Sequence, residues 1–295
     1  MTKNTYPPSK EFAAAAHITK DSYALMYDAS IKDPDGFWAE HGKRVDWIKP
    51  FSKIKNVSYS HPDVSIKWFE DGTLNVSANC IDRHLATRRD QTAILWEGDH
   101  PDESKHISYA TLHEKVCKLS NVYKSLGVGK GDRVILYMPM IPEAAYAMLA
   151  CTRIGAVHSI VFGGFSPEAL ASRIQDCGAS LVVTADQAPR GGKVTPLKLN
   201  VDKALDIAGD VKTLVIERTY GDVMMMNGRD YSYDAMMSDA SPDCPPEEMS
   251  AEAPLFILYT SGSTGKPKGV LHTSGGYLVW ASMTHEYTFD YHDGD

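Results

Sequence analysis

RVILYMPMIPEAAYAMLACTRIGAVHSIVFGGFSPEALASRIQDCGASLVVTA (133–185) is the stretch on which the fold turns. Its short Val/Ile-rich runs, Arg133–Met138, Ala156–Phe162 and Leu181–Ala185, read as strands, and the segments between them, Glu143–Ile154 and Pro167–Cys177, read as helices. Strands alternating with helices at this spacing are the signature of βαβ units, hence an α/β fold with layered, mainly parallel sheets and helices on both faces. The alternation extends outward in both directions. Upstream lie a strand at Ala93–Trp96 and a helix over Ser108–Leu126, with Leu112, Val116, Leu119, Val122, Tyr123 and Leu126 at helical spacing before Gly127. Downstream lie a helix over Leu197–Ala208 and a strand over Thr213–Glu217. Met224–Met226 before Asn227-Gly228 reads as a strand end and turn.

Outside this region the texture changes. The first 85 residues are rich in Trp, Tyr, Pro and Asp, as in FWAEHGKRVDWIKP (37–50), without a sustained period. They are expected to wrap over a neighbouring surface with aromatic anchors. SDASPDCPPEEMSAEA (238–253) is an acidic, proline-rich connection leading into an apolar strand, Leu255–Tyr259. The expected division is a wrapping segment at 1–85, an α/β subdomain at 86–250, and a strand and loop at 251–295 opening a further subdomain.

The composition, 43% hydrophobic and 23% charged over 295 residues, is that of a globular protein. A net charge of −8 speaks against nucleic acid or anionic lipid as partners, so any phosphate ligand must be held locally. Five scattered cysteines without C-x-x-C spacing read as buried free thiols, and no metal site is expected. The N-terminus lacks a basic start and long apolar run, which points to the cytoplasm. The apolar stretch Ala144–Phe165 carries Arg153, a cost of roughly 2.5–3.5 kcal/mol in a bilayer, and reads as buried core instead.

The Leu255–Tyr259 strand runs into Thr260-Ser-Gly-Ser-Thr-Gly-Lys-Pro-Lys-Gly269 and out through Val270–His272. Glycines allow close backbone approach, successive N–H groups form an anion nest, hydroxyls add donors and lysines add charge. These residue types together make a polyphosphate grip. It is not a Walker A loop: only two residues separate Gly262 from Gly265, and Pro267 stands where Ser or Thr should follow Lys266. In VFGGFSPEAL (161–170), Ser166, Pro167 and Glu168 make a good helix start, and Gly163-Gly164 either form a plain strand-to-helix turn or admit a ligand to the backbone. Arg190-Gly191-Gly192-Lys193 is likewise either a solvated basic turn or a ligand loop beyond a parallel strand.

YTSGSTGKPKGV (259–270) resembles the phosphate-binding signature of the adenylate-forming superfamily. WFEDGTLNVSANCIDRHL (68–85), WEGD (96–99), YMPMIPEAAYAMLACTRIGAVHSIVFGGFSPEAL (137–170) and LVVTAD (181–186) are most similar to AMP-forming acetyl-CoA synthetases. The resemblance implies ATP, Mg²⁺ and CoA as cofactors and acetate as the acid. Thr260, Ser261, Gly262, Ser263, Thr264, Gly265 and Lys266, with Lys268, match the loop that orients the ATP phosphates, and Thr264 and Lys266 are the candidate catalytic residues. Phe162, Gly163 and Gly164, with Arg190, Gly191, Gly192 and Lys193, match segments that contact the adenine and 3′-phosphate ends of CoA. Lys193 stands where the family often has arginine. The acid pocket, the ribose-binding aspartate and a C-terminal domain with a catalytic lysine have no counterpart before Asp295. The 295 residues alone are therefore expected to be inactive, with the C-terminal part of the same enzyme as partner. Two alternatives are a non-catalytic CoA- or nucleotide-binding module and a ligase for propionate or another short-chain acid.

Overall fold

The computed structural model describes residues 6–260, 265 and 267–294. Two compact units are present: residues 1–73 with 250–252 and 275–295, and residues 74–249 with 253–274. These bounds differ from the division at 85 and 250 drawn from composition. The Pro254–Thr260 strand is the main reason, because it joins the α/β sheet rather than starting a separate layer.

That sheet has seven strands in the order Asp230–Ser232, Lys212–Ile216, Leu181–Ala185, Arg133–Met138, Val157–Phe162, Pro254–Thr260, Lys268–Thr273. The first six run parallel and the last is an antiparallel edge. From Arg133–Met138 the chain moves one strand in one direction, then crosses back to Leu181–Ala185 on the other side. Right-handed crossovers taken in opposite directions put their helices on opposite faces. The helices accordingly pack in two pairs, Tyr109–Ser125 with Pro142–Arg153 and Pro167–Cys177 with Leu197–Ala208. Leu181–Ala185 is buried throughout, as expected of a strand covered on both faces.

The helix ends follow their sequence signals. Ser108 and Ser166 are N-caps, Pro167 occupies the first turn, and Gly178 closes the helix in the left-handed region at φ +60. Arg153 is 2% exposed and forms two hydrogen bonds to the Asp82 carboxylate, at 2.8 and 3.0 Å, with a third from its Nε to the Cys244 carbonyl. His113 joins this cluster, 3.5 Å from Asp82. Met224–Met226 form no strand. Met226 N–H donates to Asp230, and the edge strand begins only at Asp230.

In the other unit the expected absence of helical period is corrected by helices at Lys10–Ala15, Lys20–Lys32 and Pro34–Gly42. Lys20–Lys32 buries no residue: Tyr23, Tyr27 and Ile31 recur on one of its faces but stay exposed. Its start is fixed by a reciprocal Thr19–Ser22 capping box, and Asp33 caps the next helix. Trp47, Phe51 and Phe69 pack on one another, and Trp38 lies against Trp68 and Trp280. These aromatics anchor the unit's own interior. No helix among the described residues is long and apolar enough to cross a membrane.

Candidate functional site

Ligands of open α/β sheets bind beyond the carboxyl ends of the strands, at the point where strand order reverses. In this chain a cleft of about 540 Å³ opens there. Met138–Ile141 follow the Arg133–Met138 strand, Gly163 and Gly164 follow Val157–Phe162, Ala188–Arg190 follow Leu181–Ala185, and Arg218 follows Lys212–Ile216. Trp96 and Asp99, from the separate hairpin of Thr92–Glu97 and Ser104–Ser108, complete the lining. The structure thus brings Phe162, Gly163, Gly164 and Arg190 together.

The turn holding the glycines is fixed from below by Tyr137. Its buried hydroxyl is 2.9 Å from the carbonyls of both Gly163 and Phe165 and accepts from Asn200 at 3.2 Å; burial raises its pKa above the usual phenol range. Phe162 is 55% exposed, its ring facing Phe165 edge-on at 5.8 Å. Gly164 lies so close to this ring that a Cβ there would stand 2.5 Å from it.

Cations sit on aromatic faces around the cleft. Arg190 lies 5.7 Å from the centre of the Phe162 ring, while Arg218 and Lys105 lie 5.5 and 5.4 Å from that of Trp96. The Trp96 indole N–H donates to the Met140 carbonyl at 2.7 Å, and Glu103 pairs with Arg218. Arg218 is held in turn by the buried Asp186, whose carboxylate accepts from the backbone N–H groups of Gln187, Arg218, Thr219 and Gly221 and from the Thr219 hydroxyl.

Arg190 and Lys193 are paired residues of a tight antiparallel hairpin, Ala188–Arg190 with Lys193–Thr195. Its two-residue loop is Gly191-Gly192, with φ +57 and +72, the primed turn for which glycine is favoured. The N–H groups of these glycines donate to the two oxygens of Asp99, at 2.9 and 3.4 Å. Those bonds, Gly191 first, together with Arg190 nearby, hold the Asp99 carboxyl below the usual range.

The lysine-bearing loop leaves the same end of the same sheet. Thr260 and Lys268 face each other across the hairpin that it closes, and Gly265 takes φ +82. Ser261, Gly262, Ser263, Thr264 and Lys266 lie outside the described residues. Beside the loop, Tyr259 donates its hydroxyl to Asp176 at 2.6 Å, and Arg173 lies over the rings of both Tyr259 and Phe165. Sequence reasoning missed Asp99, Arg218 and Arg173 as neighbours of these sites, although Asp99 is the last residue of WEGD (96–99); Tyr259 opens the quoted run YTSGSTGKPKGV (259–270).

Among the described residues one group offers three metal-type ligands, His17, Asp290 and His292. The ring nitrogens of both histidines lie at hydrogen-bond distance from main-chain carbonyls, of Tyr291 and Ala15, and the two rings stack at 4.1 Å, an arrangement poorly suited to a shared ion.

An open, mainly parallel sheet whose strand ends carry a glycine- and arginine-lined cleft and a hydroxyl- and lysine-rich loop has the architecture of a nucleotide-handling α/β protein. The chain belongs to the AMP-binding enzyme family, whose model matches residues 81–295; a second model, acetyl-coenzyme A synthetase N-terminus, matches residues 23–80. It is 60% identical to an acetyl-coenzyme A synthetase of Methylocella silvestris, with 100% of this chain and 46% of the relative covered. The synthetase of Vibrio cholerae is 61% identical, with 97% and 44% covered. Acetoacetyl-CoA synthetase from Streptomyces lividans superposes with a TM-score of 0.83 at 25% identity, over 97% of this chain and 44% of that one. The chain thus spans just under half the length of these relatives.

Proposed function

We propose that these residues are the N-terminal part of an AMP-forming acetate–CoA ligase. In the first half-reaction an acetate oxygen attacks the α-phosphorus of ATP and pyrophosphate leaves. In the second the CoA sulfur attacks the acetyl carbon and AMP leaves. The observation that carries this reading is the convergence of Phe162, Gly163, Gly164 and Arg190 in one cleft, at the sheet end where the Pro254–Thr260 strand runs into the lysine-bearing loop. High identity to acetyl-coenzyme A synthetases over the whole chain supports acetate as the acid.

The cleft suits the nucleotide end of CoA. Phe162 offers a flat exposed face for adenine, Gly164 leaves that face clear, and Arg190 supplies the cation for the 3′-phosphate, with Lys193 across the hairpin. The loop from Thr260 to Lys268, with Thr264 and Lys266 as its catalytic residues, orients the departing pyrophosphate and stabilises its charge, which is positioning and electrostatics rather than covalent catalysis. Mg²⁺ arrives with ATP. The remaining machinery belongs to the C-terminal part of the same enzyme, which works in the cytoplasm.

The test uses the full-length enzyme. Acetate-dependent ATP–pyrophosphate exchange should be present, and Arg190→Ala should raise KM for CoA while leaving that for ATP unchanged. Equal effects on both substrates would overturn the assignment of the cleft.

A further inference from the structure

We propose that Asp99 is a positioning residue for CoA: its carboxylate clasps the tip of the Arg190–Lys193 hairpin and thereby sets the arginine that meets the 3′-phosphate. This rests on the reading of the cleft as the CoA site.

A primed two-residue turn leaves the N–H groups of its central residues pointing outward, an anion nest in waiting. In this chain the nest is filled from within. Asp99 Oδ1 accepts from Gly191 and Oδ2 from Gly192, so one side chain takes both donors, across 92 and 93 residues of sequence. The consequence for the ligand is a division of labour. The backbone of Gly191-Gly192 is engaged by Asp99, and recognition of phosphate falls to the Arg190 and Lys193 side chains.

A carboxylate so near a phosphate site could equally act as a competitor that the ligand must displace. The geometry favours the clasp. No ion pair joins Asp99 to Arg190 among the described residues; the guanidinium stays over the Phe162 ring, facing the cleft. The carboxylate therefore orders the turn without consuming its cation. The segment bearing Asp99 is itself closed by Gly98 N–H donating to the Glu103 carbonyl at 2.7 Å, and Glu103 pairs with Arg218 on the same cleft. The clasp thus ties the hairpin to a braced loop.

The experiment measures steady-state kinetics of the full-length enzyme with CoA and with 3′-dephospho-CoA. Asp99→Ala should raise KM for CoA roughly three- to tenfold, the effect of losing one charge-assisted hydrogen-bonded group. KM for ATP, acetate and 3′-dephospho-CoA should stay within twofold, a selectivity that general loosening of the fold would not give. Asp99→Asn keeps one acceptor and should fall between wild type and Asp99→Ala. Gly191→Ala, which strains the turn at φ +57 without touching charge, should reproduce the CoA-selective loss.

A fall in KM for CoA in Asp99→Ala would show a competitor and overturn the proposal. So would an unchanged KM, or equal losses with CoA and 3′-dephospho-CoA. Arg190→Ala separates the two levels. If it too lacks a CoA-selective effect, the reading of the cleft fails; if it shows one while Asp99→Ala does not, only the clasp fails.

Discussion

Replacing Gly164 by alanine in the full-length enzyme puts one methyl group against the face proposed for adenine. The backbone accepts the change, since Gly164 is not among the glycines with positive φ. The side chain does not: the new Cβ would lie 2.5 Å from Phe162 Cε1 and 3.1 Å from Cδ1, so the ring must retreat to an ordinary contact of at least 3.4 Å. Phe162 is 55% exposed, and its retreat costs little stability. What moves is the stacking platform and, with it, the surface under the Arg190 guanidinium 5.7 Å away. Stacking of a base on an aromatic ring is worth about 1–3 kcal/mol, and displacing the ring rather than deleting it places the loss near the low end, roughly fivefold in KM for CoA. Gly163→Ala is the control, because its Cβ would meet only Leu197 at 3.3 Å and the Met138 carbonyl at 3.5 Å. Initial rates against CoA concentration should show a clear rise for Gly164→Ala and a smaller one for Gly163→Ala, with ATP–pyrophosphate exchange unchanged in both. A Gly163→Ala effect as large as that of Gly164→Ala, or a parallel loss of exchange, would refute the role given to the Phe162 face.

Two further predictions concern the fold that carries the site. His158 is buried in the sheet against Phe256, its Nδ1 without a hydrogen-bond partner, and burial depresses its pKa to about 4. The unfolded chain therefore takes up the proton first as pH falls below about 6.5, so stability declines from there and the loss saturates below about pH 4. Urea unfolding should show about 2–3 kcal/mol less stability at pH 4.5 than at pH 7.5 from this residue, absent in His158→Phe; an identical pH profile in the variant would refute it. Asp82→Asn leaves Arg153 buried without its carboxylate and should cost about 3 kcal/mol, the low end for a broken buried pair because Asp82 is 28% exposed. A thermal melt should fall by roughly 6–10 °C, and a shift under 2 °C would show that the pair contributes little.

The α/β region was legible because each strand is short, Val/Ile-rich and separated from the next by a helix. Arg133–Met138, Leu181–Ala185, Pro167–Cys177 and Leu197–Ala208 have the bounds expected from sequence. The N-terminal helices were not legible, because hydrophobic period reports burial and Lys20–Lys32 buries nothing. Only its local caps mark it. The strand at Pro254–Thr260 was recognised, but its membership of the same sheet depends on pairing with Val157–Phe162, a contact between residues about a hundred apart that no local pattern announces. The cleft divides in the same way. Phe162, Gly163, Gly164 and Arg190 stood out because glycines and an arginine followed strand signals. Asp99 ends the quoted WEGD, but its place at the cleft, like that of Arg218, became visible only when the topology brought their loops to the same end.

That division bears on how a chain of net charge −8 could present the two anion sites proposed for it. Three acidic side chains beside the cleft are already engaged: Asp99 by the N–H groups of Gly191 and Gly192, Glu103 by Arg218, and Asp186 by the backbone of Arg218, Thr219 and Gly221. Each engagement also fixes a loop that borders the cleft. Negative charge is thus converted into loop rigidity, and the cations on the cleft's aromatic faces are presented on a frame that carboxylates hold in place. The sign of the whole molecule is consequently a poor guide to the sign of this site. Removing an acid there should weaken anion binding rather than strengthen it, because field strength at an exposed surface falls off quickly in salt while the position of a guanidinium does not.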